Sequence, residues 1–184
     1  MEAVDVRSVE ELGEVLRGGG RVRYLFFWGH QPPRSGGVGP SCLSQWWPAP
    51  FEVDGVRYRT AEHYMMARKA ALFGDERAAE RIVAAEHPAQ AKEIGRLVRG
   101  FDEELWAAHR FGIVVDGNLA KFGQNPELRA YLLGTGDRVL VEASPLDRVW
   151  GIGLAADDER ANRPEAWRGP NLLGFALMAV RAQL

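Results

Sequence analysis

Apolar positions recur at helical spacing over most of this chain, and only three short stretches alternate or run together as strands do. Ser8 to Leu16 is amphipathic, with Ser8 as the cap and Glu11 three residues on in capping-box register; Gly18-Gly19-Gly20 stops it. Arg21–Trp28, rich in aromatic and β-branched residues, predicts a first buried strand. Phe51 to Tyr58 places Asp54-Gly55 between two short alternating segments, a strong hairpin signal. Helices follow. Thr60 caps a segment from Ala61 to about Phe73, Asp75 caps another to about Ala85, and Pro88, preceded by His87 as cap, opens a third that ends near Gly100. Asp102 caps a fourth, with a break expected near Gly112 and a continuation to Phe122; Asn125-Pro126 starts a short one that closes at Gly134. Arg138–Ala143 is the second buried strand. Gly169-Pro170 opens the last helix, apolar almost all round and so a central core element. The expected fold class is α+β: a predominantly helical single domain over residues 1–184, with a small sheet built from the Arg21, Phe51 and Arg138 regions.

Composition narrows the function classes. With 184 residues, 46% of them hydrophobic, and 23 cations against 25 anions, the chain lies far from the disordered regime and is long enough to bury a core. A net charge of -2 argues against a dedicated duplex-DNA binder, while two or three placed cations still suffice for one phosphate. The single cysteine, Cys42, excludes a disulfide framework, and the four histidines show no metal-ligand spacing; no metal and no cofactor is expected. Met1–Asp5 has no secretory character, and the longest apolar stretch, Leu172–Val180, falls well below the ~20 residues of a membrane span. A soluble, cytoplasmic protein is the expectation. From Gly29 to Pro50 the chain is dense in glycine and proline, a long loop of the kind that is usually functional.

Several residues carry candidate chemistry. Behind a Thr60 cap, Glu62 stands in the first turn, where unpaired N–H groups and the helix dipole favour a carboxylate. Met66 and Lys69 share its face, with Lys69 ~10 Å further along. Such a pair suits a ligand with an electrophilic carbon and a phosphate; from spacing alone, a dipole-complementing Glu and a solvated Lys are the plainer reading. At the end of the second strand, Asp147 is a second candidate acid or base and Trp150 a candidate stacking platform, against a turn cap and a core tryptophan. Asn118, Lys121 and the amides Gln124 and Asn125 suit a nucleobase edge and a phosphate, although the segment matches no phosphate-loop pattern. Trp46-Trp47 reads either as a base or sugar platform or as an aromatic loop anchor. Cys42 has no identifiable base beside it.

Five stretches in order resemble one family: Ser44–Trp47, Thr60–Ala70, Gly117–Phe122, Glu142–Gly153 and Trp167–Gly174. From about Tyr24 to the C-terminus the chain is similar to the YbiA-like, or NADAR (NAD and ADP-ribose associated), family. The resemblance implies a helix-dominated α+β domain with N-glycosidase chemistry, cleaving the C–N bond between a ribose and an amine. One branch acts on ribosylaminopyrimidine phosphates of early riboflavin synthesis, another removes ADP-ribose from guanine in nucleic acid; a non-catalytic NAD or ADP-ribose binding module is a third class. By motif, Glu62 matches the family's central carboxylate, Lys69 its nearby cation, Trp106 a pocket aromatic, and Asp147 with Trp150 the late acidic and aromatic pair. In the reading that follows, Glu62 stabilises the cationic transition state and activates water, and Asp147 binds a ribose hydroxyl or assists the leaving group. Lys69, with Arg57 or Lys121, holds a 5′-phosphate, and Trp106 and Trp150 pack the base. Many members carry Ser-Asn-Phe where this chain has Ser44-Gln45-Trp46, and the preceding loop is longer here.

Overall fold

The protein, described by a computed structural model over residues 6–184, divides into two compact units, one built from the chain up to Ser44 together with Glu127–Leu184, the other from Gln45–Pro126. Met1–Asp5, on which the expectation of no leader rests, lie outside the described residues. Among the described residues no helix is long and apolar enough to cross a membrane.

In the first unit, α1 (Val9–Arg17) begins where Ser8 Oγ accepts from the Glu11 N–H at 3.1 Å. The returning Glu11 carboxylate accepts from Arg7 N rather than from the cap residue itself, which moves the capping box one residue outward. Strand β1 (Tyr24–Phe27) pairs in parallel with β4 (Val139–Glu142), in register Tyr24 to Val139 and Phe27 to Glu142. After α6 (Pro126–Gly134) and β4, the chain returns through α7 (Leu172–Arg181), buried at eight of its ten positions and packed on β4. Two polar residues fasten it. At its start Asn171 accepts from the Glu142 N–H and donates to the Leu140 carbonyl, both at 2.9 Å; at its end Arg181 donates to Thr135 Oγ1 at 2.7 Å and to the Arg138 carbonyl at 3.0 Å. At Gly174 the backbone of α7 approaches so closely that an added Cβ would stand 2.1 Å from the Leu140 carbonyl oxygen.

In the second unit, β2 (Phe51–Val53) and β3 (Val56–Tyr58) form an antiparallel hairpin. Its two turn residues, Asp54 and Gly55, both have positive φ (51° and 76°), as a type I′ turn requires. The hairpin is a sheet of its own. It does not join β1 and β4, so the single small sheet expected from the three strand regions is replaced by two pairs. Each β2 and β3 segment is three residues long, and the alternation that marks a strand says nothing about its partner. Gln124 holds the hairpin to the end of α5 (Glu103–Gln124), accepting from Glu52 N at 2.9 Å and donating to Glu52 O at 2.7 Å.

Helix α2 (Ala61–Leu72) is the axis of this unit, packed by α3 (Glu76–Ala84), α4 (Pro88–Arg96) and α5. Its sides are buried almost without interruption from Ala61 to Ala67. Two neighbours reach it through glycines: a Cβ at Gly95 of α4 would lie 2.2 Å from Met66 Sδ, and one at Gly117 of α5 would lie 2.5 Å from Tyr64 Cδ1. The Tyr64 ring in turn meets Tyr58 edge-on, 5.0 Å between centroids. Helix α5 runs unbroken through Gly112, contrary to the break expected there. One exposed glycine costs a helix about 1 kcal/mol relative to alanine, too little to interrupt 22 residues held by flanking contacts.

Asn171 has positive φ (54°) and makes two buried backbone hydrogen bonds. Asn171→Ala is expected to lower unfolding free energy by about 2–4 kcal/mol, since it strands buried backbone groups. Urea denaturation followed by circular dichroism measures the loss, and a change within error would remove Asn171 from the forces that hold α7.

Candidate active site

Thr60 is the N-cap of α2, in extended backbone (φ -146°), with its Oγ1 accepting from the His63 N–H. The same hydroxyl lies 2.8 Å from His63 Nδ1, and His63 Nε2 lies 3.1 Å from the Ala85 carbonyl. A carbonyl only accepts, so Nε2 carries the ring proton and Nδ1 accepts from the threonine hydroxyl. The imidazole is wholly buried, and that burial is the main cause that pushes its pKa below the usual 6.5; Arg59 and His87 act in the same direction and the Ala85 carbonyl against it. A neutral histidine thus locks the rotamer of the helix cap.

Glu62 sits between cap and histidine, 4% exposed. Its backbone N–H donates to the Gln45 carbonyl at 3.0 Å. The carboxylate therefore occupies the positive end of the helix dipole in a nearly water-free setting. Two turns further along, Lys69 Nζ donates to the Gly95 carbonyl at 2.9 Å and stands over two aromatic rings, 4.4 Å from the Phe101 centroid and 5.6 Å from that of Trp106. Burial lowers the ammonium pKa below its usual value, opposed by the fields of Glu103 and Glu62. Trp106, in the first turn of α5, is buried, whereas Phe101 leaves 44% of its surface exposed. Glu62, Lys69 and Trp106, expected to act together, thus share one small region of the second unit.

Asn118 is completely buried; its Nδ2 donates to the Val114 carbonyl and to Gln45 Oε1, each at 2.8 Å. Lys121 is also fully enclosed, its ammonium 4.9 Å from the Phe122 ring centroid, while Arg57 is exposed on the hairpin. Trp46 is half-buried with Lys92 Nζ 5.8 Å from its ring centroid, and its neighbour Trp47 is buried. Asp147 and Trp150 belong to the first unit, in the turn after β4. There Asp147 Oδ1 accepts from Val149 N at 2.8 Å and Trp150 N at 2.7 Å, and Ser144 Oγ accepts from Asp147 N at 3.2 Å. Among the described residues no group of three or more His, Cys, Asp or Glu side chains converges as a metal site.

Two contributors, Gln45 and Phe101, have no role expected from the sequence. Phe101 is readable in retrospect as an aromatic outside any helical stripe, just ahead of the Asp102 cap. Gln45 has no local signal beyond standing where relatives of the resembling family often carry a different amide.

A family model for the NADAR domain matches residues 26–184. The chain belongs to the NADAR domain family. N-glycosidase R617 of Acanthamoeba polyphaga mimivirus is 43% identical over 167 residues, which cover 88% of this chain and 96% of the viral protein. N-glycosidase YbiA of Escherichia coli is 35% identical, over 73% of this chain and 76% of that one. The solution structure of E. coli YbiA superimposes with a TM-score of 0.67 and 29% identity, covering 89% of this chain and 85% of its own. The named relatives are enzymes, hydrolases of N-glycosyl compounds, and this NADAR chain shares the α+β architecture of YbiA.

His63 gives the site a pH signature. Because its folded pKa is depressed, the unfolded chain takes up a proton that the folded chain refuses once pH falls below about 6.5. This contribution is complete above that value and is lost as pH drops towards the lower, folded pKa. Melting temperature is therefore expected to fall between about pH 7 and pH 5, and His63→Gln should flatten part of that slope. An equal slope in the variant would show that other groups set it.

Proposed function

We propose that this NADAR protein is an N-glycosidase that hydrolyses the bond between a ribosyl C1′ and an amine nitrogen. Its proposed substrates are ribosylaminopyrimidine phosphates, intermediates of early riboflavin synthesis, which it removes as reactive metabolites. Glu62 carries the reading: a carboxylate held nearly out of water at a helix N-terminus, at the motif position where the family resemblance implies its central carboxylate.

Breaking a ribosyl C–N bond develops positive charge on C1′ and the ring oxygen. A fixed carboxylate in a poorly screened site stabilises that charge as it forms. Water adds to C1′ as the C–N electron pair leaves with the amine. Glu62 takes the proton that water loses and passes it on to the departing nitrogen, so the carboxylate is restored and the products are a ribose phosphate and a free amine. Lys69 spends one N–H on the Gly95 carbonyl and has two more for a phosphate oxygen. Phe101, with the ammonium over its ring, and the adjacent Trp106 offer an aromatic wall to a flat heterocycle. To Asp147 we assign the building of the turn that carries Trp150, because one of its oxygens already accepts two backbone N–H groups.

Removal of ADP-ribose from guanine in nucleic acid gains less support. A stacking surface at Trp46-Trp47 loses one member, since Trp47 is buried. A binding module without turnover would hold the ribosyl ligand and release no product. Incubation with a ribosylaminopyrimidine phosphate and with an ADP-ribosylated guanine oligonucleotide, followed by detection of ribose phosphate or of unmodified guanine, separates the three.

Glu62→Gln is expected to keep the fold and reduce kcat by about a hundred- to a thousandfold, the ~2.7–4 kcal/mol that one charge-stabilising group contributes. Turnover that survives the substitution would end the assignment. Lys69→Met should raise KM for the phosphorylated substrate roughly tenfold or more and leave a dephosphorylated analogue nearly unaffected, as the loss of a charge-assisted hydrogen bond predicts. Equal effects on both would place the phosphate elsewhere.

A further inference from the structure

Gln45 and Asn118 form a pair that stability does not explain. Both are buried, 7% and 0% exposed. Asn118 Nδ2 spends its two hydrogens on the Val114 carbonyl and on Gln45 Oε1. The Val114 carbonyl accepts only, so it determines which end of the Asn118 amide faces it, and that in turn determines which end of the Gln45 amide faces Asn118. Gln45 Nε2 and Asn118 Oδ1 are then left without a hydrogen-bond partner among the described residues, a donor and an acceptor both buried. A buried amide that satisfies half its capacity costs stability, and an apolar pair of the same shape would be cheaper.

The backbone of the same Gln45 holds the site. Its carbonyl accepts the Glu62 N–H at 3.0 Å, at the first turn of α2, where no intrahelical acceptor exists. A chain of bonds therefore runs from Val114 on α5 through the two side-chain amides to the residue that carries the carboxylate. One position before Asn118, Gly117 brings α5 against Tyr64, two positions after Glu62, so the amide pair spans helices already in close contact.

We propose that Gln45 and Asn118 are positioning residues that hold the first turn of α2, and with it the Glu62 carboxylate, in the reactive orientation at some expense of stability. The proposal rests on Glu62 as the reacting carboxylate. It also places Asn118 behind the site, as a brace for the carboxylate, in place of direct contact with a nucleobase edge.

The double variant Gln45→Met, Asn118→Leu keeps side-chain volume and removes every amide of the pair while leaving the Gln45 carbonyl in place. Its melting temperature is expected to equal or exceed that of the parent protein. Hydrogen–deuterium exchange at residues 60–64 is expected to accelerate, with exchange elsewhere unaltered. On the ribosylaminopyrimidine phosphate, kcat should drop about ten- to a hundredfold at constant KM, the effect of a displacement of roughly 1 Å at a reacting group. Unaltered exchange at residues 60–64, or faster exchange with full kcat, overturns the proposal. So does a melting temperature that falls in step with activity, which marks a purely structural pair. Glu62→Gln, run alongside, keeps the two readings apart: full turnover in that variant counts against the reading of Glu62, a parent protein inactive on this substrate counts against the proposed substrate and leaves exchange at residues 60–64 to decide the brace, and an inactive Glu62→Gln beside a fully active double variant counts against the brace alone.

Discussion

A carboxylate taken out of water has to be met by donors and a favourable field, or its burial opposes folding by several kcal/mol. Position 62 meets that demand through the helix it begins. The first turn of α2 puts it at the positive end of the helix dipole, and it stays there only while that turn is held in place. Much of the second unit serves this end. Thr60 closes the cap, His63 locks the threonine from behind, and the Gln45 carbonyl takes the Glu62 N–H. Buried on nearly every side, α2 then has little freedom to carry the carboxylate elsewhere.

The two units fasten their central helices by the same physical device with different residues. In the first, Asn171 and Arg181 tie the two ends of α7 to the backbone around β4. In the second, Thr60, His63 and the Gln45 carbonyl hold the start of α2, where the carboxylate is, and Lys69 in its last turn donates to the Gly95 carbonyl.

Local chemistry was legible in the sequence, and long-range pairing was not. Ser8, Thr60, Asp75 and Asp102 all cap the helices expected of them, because capping is decided within four residues. Asp54-Gly55 turns the hairpin for an equally local reason. The β2–β3 hairpin was expected in the same sheet as β1 and β4, yet strand pairing is decided by tertiary packing that no short pattern records. Helical spacing puts Glu62 and Lys69 on one face, and the family resemblance alone adds Trp106; Gln45 and Asn118 meet across 73 positions, and nothing near either residue announces the other.

The glycine seams set how this molecule can diverge. Tyr64 and Met66 occupy room that exists because residues 117 and 95 have no side chain. Growth at either glycine requires shrinkage at its opposite number, so drift in these helices is coupled, 64 with 117 and 66 with 95. A combinatorial library that randomises one member of a pair while freezing the other would discard most of its variants before they reach an assay.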